Sequence, residues 1–252
     1  MTVVLPGLLG AVIGSFLNVV AWRLPRGDSL VRPGSRCPDC AAPVRPWHNV
    51  PVLSWLWLRG RCHECEARIS SRYPVVELAT AALWAGVVLH DGVSGRAALD
   101  LLLVTALVPI ALIDLDHRII PNKIIGPAAL IGLAVAALVD PGGLPERLIA
   151  AVAAGGAFFA VALAYPAGMG MGDVKLAGLL GLYLGAAVAP ALAVALVAGT
   201  VVGVAIMARR GVREGRKTAV PFGPFLALGG LVGVFAGHPL VHWYLQTFAN
   251  GG

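Results

Sequence analysis

The chain has 252 residues, of which 58% are hydrophobic and 13% charged, with a mean hydropathy of +0.82. Soluble domains carry about a quarter charged residues, so a soluble globular protein is excluded and an integral membrane protein is indicated. The formal charge of +6 would suggest nucleic acid as a partner for a soluble protein. Here the basic residues are dispersed and follow membrane topology, so no nucleic-acid partner is expected.

Apolar runs of about 17 to 25 residues are span candidates. The first is Leu5–Ala21, which lacks a basic leading stretch and a following small-residue cleavage site, and so reads as a retained span rather than a signal peptide. Next come Pro74–Leu89, Ala97–Asp114, Ile124–Val139 and Leu148–Ala167. The run Val174–Ala208 is too long for one span at about 1.5 Å per residue. It is expected to fold back near Ala187–Pro190 with a short first arm. Pro221–Ala236 follows, and Trp243, Tyr244 and Phe248 suit a belt at headgroup level. The expected fold is therefore an all-α polytopic membrane protein of about eight transmembrane helices, with a small zinc-stapled cytoplasmic domain between helices 1 and 2. The domains read as a first transmembrane helix over 1–22, a four-cysteine domain over 23–73 and a transmembrane domain over 74–252.

Basic residues give the orientation. Arg23 to Arg72 holds nine arginines and Arg209 to Lys217 five basic residues, and with eight spans both loops fall on one side together with Arg118, Lys123 and Lys175. Only Arg96 and Arg147 face the other way, so 17 of 19 basic residues share a side. The positive-inside rule makes that side cytoplasmic and both termini external.

Cys37-Pro-Asp-Cys40 is followed by Cys62-His-Glu-Cys65. Two such knuckles read as a tetrahedral four-thiolate zinc site, structural because no coordination position stays open. The alternatives are a pair of redox motifs, which a cytoplasmic setting disfavours as disulfides, and unligated thiols. A loop of this length does not hold together by core burial alone. Trp47, Trp55 and Trp57 lie between the knuckles and either pack on the metal site or lie on the membrane surface.

Two carboxylates stand at the edges of apolar runs. Asp114 ends one in ALIDLDHRIIPN, and Asp173 opens another in GMGMGDVK. The topology puts both at the cytoplasmic face. Gly170 and Gly172 let the backbone bend and a substrate strand approach, while Lys175 is a candidate substrate contact or partner of Asp173. Asp116 is read as solvated or paired with Arg118 or His117, and Pro121 as the turn that starts the next span. Glu77, at the start of the second span, is either a cap or half of an ion pair, or a substrate-binding or site-supporting group.

Four ordered stretches resemble the type IV prepilin peptidase family. They are GSFLNVV at Gly14–Val20, the cysteine module with SRYPVVE at Ser71–Glu77, IDLDHRIIPN at Ile113–Asn122, and GMGMGDVKLAG at Gly168–Gly178. The resemblance implies an intramembrane-type aspartyl protease that removes the basic leader from type IV prepilins and pilin-like secretion-system subunits, with Asp114 and Asp173 as its catalytic aspartates. It places the enzyme in the bacterial cytoplasmic membrane, in contact with lipid. Members with the cysteine-bearing domain often also methylate the new N-terminus with S-adenosylmethionine, so that second activity is implied here as well. The rival class is a transporter using Asp114 and Asp173 as ion or proton sites, which leaves the cysteine module unexplained. A scaffold with the zinc module as a docking surface is a further alternative.

Overall fold

The computed structural model describes residues 3–166, 168–211 and 220–249. Ala167, Arg213, Arg216 and Lys217, which figure in the spans and loops above, lie outside the described residues, as does the side chain of Phe248. Among the described residues every regular element is helical, and the only β-type pairings are two isolated bridges, Arg36 with Pro43 and Arg61 with Arg68. Among the described residues seven stretches are long and apolar enough to cross a membrane. The longest, Met171–Arg210, is two helices joined at a tight turn, Gly185–Ala187, where Gly185 takes a left-handed φ of 57°. The chain divides into two compact units, Met1–Gly92 and Val93–Gly252.

The first unit holds α1 (Val4–Arg23), the short α2 (Leu53–Trp57) and α3 (Arg72–Asp91). Helices α1 and α3 run antiparallel, with Gly10 against Thr80 and Trp84 and Gly14 against Glu77 and Thr80. Small residues let the backbones approach this closely, which is the usual basis of helix association in lipid. The buried Asn18 donates from Nδ2 to the Tyr73 carbonyl at 3.2 Å, so its amide is not left unpaired. Because α3 packs along α1, the division of the chain falls at Gly92.

The second unit holds α4 (Gly95–His117), α5 (Asn122–Val139), α6 (Leu144–Ala164), α7 (Met171–Leu184), α8 (Val188–Arg210) and α9 (Gly223–Tyr244). Ser94 caps α4, its hydroxyl accepting from the Ala97 N–H at 3.1 Å. Helix α7 is the hub, with Leu176, Ala177 and Leu180 fully enclosed. A helix apolar on every side is one that is buried on every side. Gly178 and Gly181 seat it on Ala150 and Ala151 of α6, and the Tyr183 hydroxyl donates to the Ala128 carbonyl of α5 at 2.7 Å.

Helix α9 crosses this core on glycines. Gly230 meets Leu107 of α4 and Leu180 of α7, and Gly233 meets Leu184. Gly229 and Gly237 meet Ala191 and Ala187, while Gly199 of α8 meets Phe222, which makes α8 and α9 antiparallel. Helices α7 and α9 therefore run one way and α8 the other. The chain reverses at Gly185–Ala187, slightly before the expected Ala187–Pro190. At 14 residues α7 is about 21 Å long, short of a hydrocarbon core of about 30 Å. The same pairings bring the C-terminal end of α4 and the N-termini of α7 and α9 to one end of the unit.

Candidate active site and metal centre

Asp114 occupies the last turn of α4 and is 5% exposed. Its Oδ2 accepts the N–H of Gly223, the first residue of α9, at 2.8 Å. Asp173 is the third residue of α7, and its Oδ2 accepts the N–H of the N-capping Gly170 at 3.2 Å. The N-terminus of a helix leaves N–H groups unsatisfied and carries partial positive charge. Each carboxylate thus sits where an anion is favoured: Asp173 at the start of its own helix, Asp114 at the start of α9. Both line one cavity of about 540 Å³, together with Arg118, Ile120, Met169 and Phe222.

Helix geometry separates Asp114 from Asp116. At 3.6 residues per turn two positions differ by about 200°, so burying Asp114 turns Asp116 outward, and it is exposed. Arg118 ends the helix in the left-handed conformation, φ 56°, its N–H bonding to the Asp114 carbonyl at 2.9 Å. Pro121 then caps α5. Gly172 is where α7 meets this connection, since a Cβ there would stand 2.8 Å from the Cβ of Ile120. Lys175 is exposed and does not pair with Asp173; its Nζ donates to Oδ1 of Asn122 at 2.9 Å, tying α7 to the start of α5. Two carboxylates on one cavity can act as general base and general acid on a substrate held between them.

The cysteine module is built twice. Cys37 N–H bonds to the Ala42 carbonyl at 3.0 Å, and Cys62 N–H to the Ala67 carbonyl at 2.8 Å. Ala41 (φ 58°) and Glu66 (φ 56°) turn the two knuckles identically, and each closes with one of the isolated bridges. The four sulfurs lie within 4.8 Å of one another, and those of Cys37 and Cys65 are 3.8 Å apart. Zinc–sulfur bonds of about 2.3 Å in a tetrahedron place sulfurs about 3.8 Å apart, so the tetrad can hold a metal. Backbone N–H groups of Cys65 and Glu64 hold the Cys62 thiol down to about 7. The Ala67 N–H favours the Cys65 thiolate, but the Cys40 sulfur, burial and the Cys62 and Cys37 sulfurs outweigh it and push Cys65 up to about 12. Four sulfurs this close do not all ionise unless a cation offsets their charge. His63 is outside the tetrad; its ring lies 4.8 Å from that of His48 and its Nδ1 is 3.1 Å from Glu64.

Trp55 turns into the module, its Nε1 donating to the Ile69 carbonyl at 3.1 Å above Gly60, whereas Trp47 and Trp57 are exposed. Glu77 is buried on α3, and its Oε2 accepts the N–H of Val52 at 2.7 Å. Val52 is the N-cap of α2 and takes φ 62°, an outlying conformation for a β-branched residue. The carboxylate thus pins the module to α3.

Comparison with known proteins agrees with this division. Residues 8–90 match the model of the bacterial peptidase A24 N-terminal domain, and residues 101–207 that of the type IV leader peptidase family. A prepilin leader peptidase/N-methyltransferase of Stutzerimonas stutzeri is 35% identical over 95% of the chain and 92% of its own length. The chain belongs to the type IV leader peptidase family. Relatives of the same printed name from Pseudomonas aeruginosa (35% identical over 95% of the chain and 92% of the relative) and Pseudomonas putida (37% over 93% and 91%) are similar to it along nearly their whole lengths. No solved structure matches it.

In this member of the leader peptidase family, the N-terminal match contains the four cysteines and Glu77, and the second match contains Asp114 and Asp173. Two features escape a reading of the sequence. Gly223 holds Asp114, and a Cβ there would stand 2.7 Å from its Oδ2; the only signal is the odd PFGPF at the head of an apolar run. The duplication of the knuckle extends beyond the cysteines, and RCPDCAAPV at 36–44 aligns with RCHECEARI at 61–69, a repeat that a self-comparison of the chain would find.

Proposed function

We propose that Asp114 and Asp173 are the catalytic pair of an aspartic endopeptidase that removes the leader from type IV prepilins and pilin-like secretion-system subunits. The observation that carries this reading is that both carboxylates line one cavity, each positioned by a backbone N–H at a helix N-terminus. The ionised carboxylate takes a proton from water as its oxygen attacks the scissile carbonyl carbon. The protonated one donates to the carbonyl oxygen, and the C–N bond breaks as the leaving nitrogen is protonated. Once a substrate draws the two carboxylates together they do not both ionise, so the pair then shares one proton, and its titration belongs to the pair. Gly170 flanks the substrate backbone beside Asp173, and Gly172 supports the site by letting α7 meet Ile120. Lys175 offers a cation to a substrate carboxylate, and Glu77 is a supporting residue of the first unit, where its carboxylate holds the cysteine module.

The cysteine tetrad binds structural zinc in this reading, with no open position for chemistry. The relatives' name adds N-methyltransferase, and we assign the same second activity, with S-adenosylmethionine as donor, to the region containing the module over 23–73. The peptidase lies within 74–252, and residues 1–22 anchor the chain. The enzyme is multi-pass in the bacterial cytoplasmic membrane, in contact with lipid, with its active site at the cytoplasmic face, both termini external and no nucleic-acid partner. The test is mass spectrometry of a prepilin incubated with the reconstituted chain, with and without isotopically labelled S-adenosylmethionine. Release of the leader supports the peptidase, and label on the new N-terminus supports the methyl transfer. An intact prepilin under all conditions contradicts the assignment.

A further inference from the structure

In the first unit α2 carries an apolar face turned outward. Leu53, Leu56 and Trp57 stand at i, i+3 and i+4, on one side of a helix, and they are 65%, 58% and 88% exposed, while Trp55 faces inward. The depth at which this face begins is fixed. Val52, the residue before α2, is bonded to Glu77, five residues into α3, or about 7.5 Å from its start at 1.5 Å per residue. Gly14, packed against Glu77, lies nine residues before the end of α1, about 13 Å along that helix. So Val52, where α2 starts, lies within one glutamate side chain of this level and short of the end of α1. Apolar side chains at this level, Phe16, Val75 and Leu78, are themselves exposed, as the lipid-facing surface of a span is.

Charge points to the same occupant. Residues 23–72 contain nine arginines against four acidic residues, and Arg59 and Arg61 follow α2 directly. Basic segments beside a span are drawn to anionic lipid headgroups. Tryptophan favours the membrane–water boundary, where the ring body is in an apolar setting and the N–H is wet.

We propose that Leu53, Leu56 and Trp57 insert into the headgroup–acyl boundary and that anionic phospholipid covers this face of α2. The buried Glu77 carboxylate, by accepting the Val52 N–H, sets how deep α2 sits and so fixes the height of the cysteine tetrad above the bilayer. The proposal concerns the first unit alone and does not depend on which residues cleave a substrate.

The test uses the full chain in phosphatidylcholine/phosphatidylglycerol vesicles containing lipids brominated either near the headgroup or near the chain end. The chain has six tryptophans, so the contribution of Trp57 is the difference between wild type and Trp57→Phe. The expected result is at least twofold quenching of the Trp57 emission by the shallow bromines, less by the deep ones, and weaker shallow quenching when phosphatidylglycerol is omitted. In Leu53→Asp/Leu56→Asp, with bound metal measured to confirm an intact module, the shallow quenching should fall at least twofold. Should that variant lose its metal, the Trp57→Phe difference decides alone. Trp57 emission untouched by either lipid overturns the proposal. So does quenching indifferent to phosphatidylglycerol, or shielding of Trp57 that appears only when prepilin is added, which would make a protein the occupant.

Discussion

Gly223 gives the most exacting test of the site geometry. In Gly223→Ala the new Cβ would stand 2.7 Å from Oδ2, 3.0 Å from Cγ and 3.1 Å from Cβ of Asp114. Asp114 is buried and sits on α4, so it yields only by rotating off the Gly223 N–H or by moving α9. Losing an N–H bond to a charged carboxylate costs about 1.5–3 kcal/mol, and misplacing a catalytic group by about 1 Å costs about 100-fold in rate. At about 1.4 kcal/mol per tenfold, kcat/KM for leader cleavage should fall about 10- to 100-fold. Overpacking should also cost about 1–3 kcal/mol of stability. The control is Gly203→Ala on α8, where a Cβ meets nothing within 4 Å; it should keep full activity and gain slightly in stability, since glycine inside a helix costs about 0.5–1 kcal/mol relative to alanine. Full activity in Gly223→Ala, measured on a reconstituted prepilin beside this control, would refute the claim that this contact positions a catalytic Asp114.

Three further outcomes are expected. Metal analysis should find about one zinc per chain, lost in Cys37→Ser and in Cys62→Ser; because structural zinc contributes about 10–16 kcal/mol to small metal-dependent folds, limited proteolysis should then cut within 23–73. Glu77→Ala removes the acceptor of the Val52 N–H and should speed hydrogen exchange at Val52, with a loss of about 1.5–3 kcal/mol in local stability, whereas Glu77→Gln, which keeps a carbonyl oxygen, should lose less. Lys175→Gln should raise KM several-fold for a prepilin with an acidic residue just after the cleavage point while leaving kcat nearly unchanged, and an equal rise for a neutral-substituted substrate would contradict the proposed contact.

Much of the fold is legible in the chain because a bilayer imposes simple rules. Run length gives the spans, and the excess length of Val174–Ala208 implies the reversal seen at Gly185–Ala187. Distribution of charge puts Asp114 and Asp173 at one level, and the structure places both on one cavity. The choice between Asp114 and Asp116 needed the helix to continue through His117, which fixes their opposite directions. What stayed hidden depends on tertiary approach. Nothing local marks Gly223 as the donor to a residue 109 positions away, or Val52 as the partner of Glu77. Lys175 looked like a neighbour of Asp173 by spacing, yet side chains two apart on a helix do not face each other, and it reaches Asn122 instead. The inward turn of Trp55 and the outward turn of Trp57 are likewise not readable, because a five-residue helix has no period to reveal.

In the proposed mechanism Asp114 and Asp173, and not Asp116, perform the cleavage. Asp114→Asn, Asp173→Asn and Asp116→Asn, reconstituted at equal amounts and given the same prepilin, test it most directly. Prepilin should stay uncut with the first two, and the leader should be released at a near-normal rate with the third. Leader release at the normal rate by either Asp114→Asn or Asp173→Asn would contradict it.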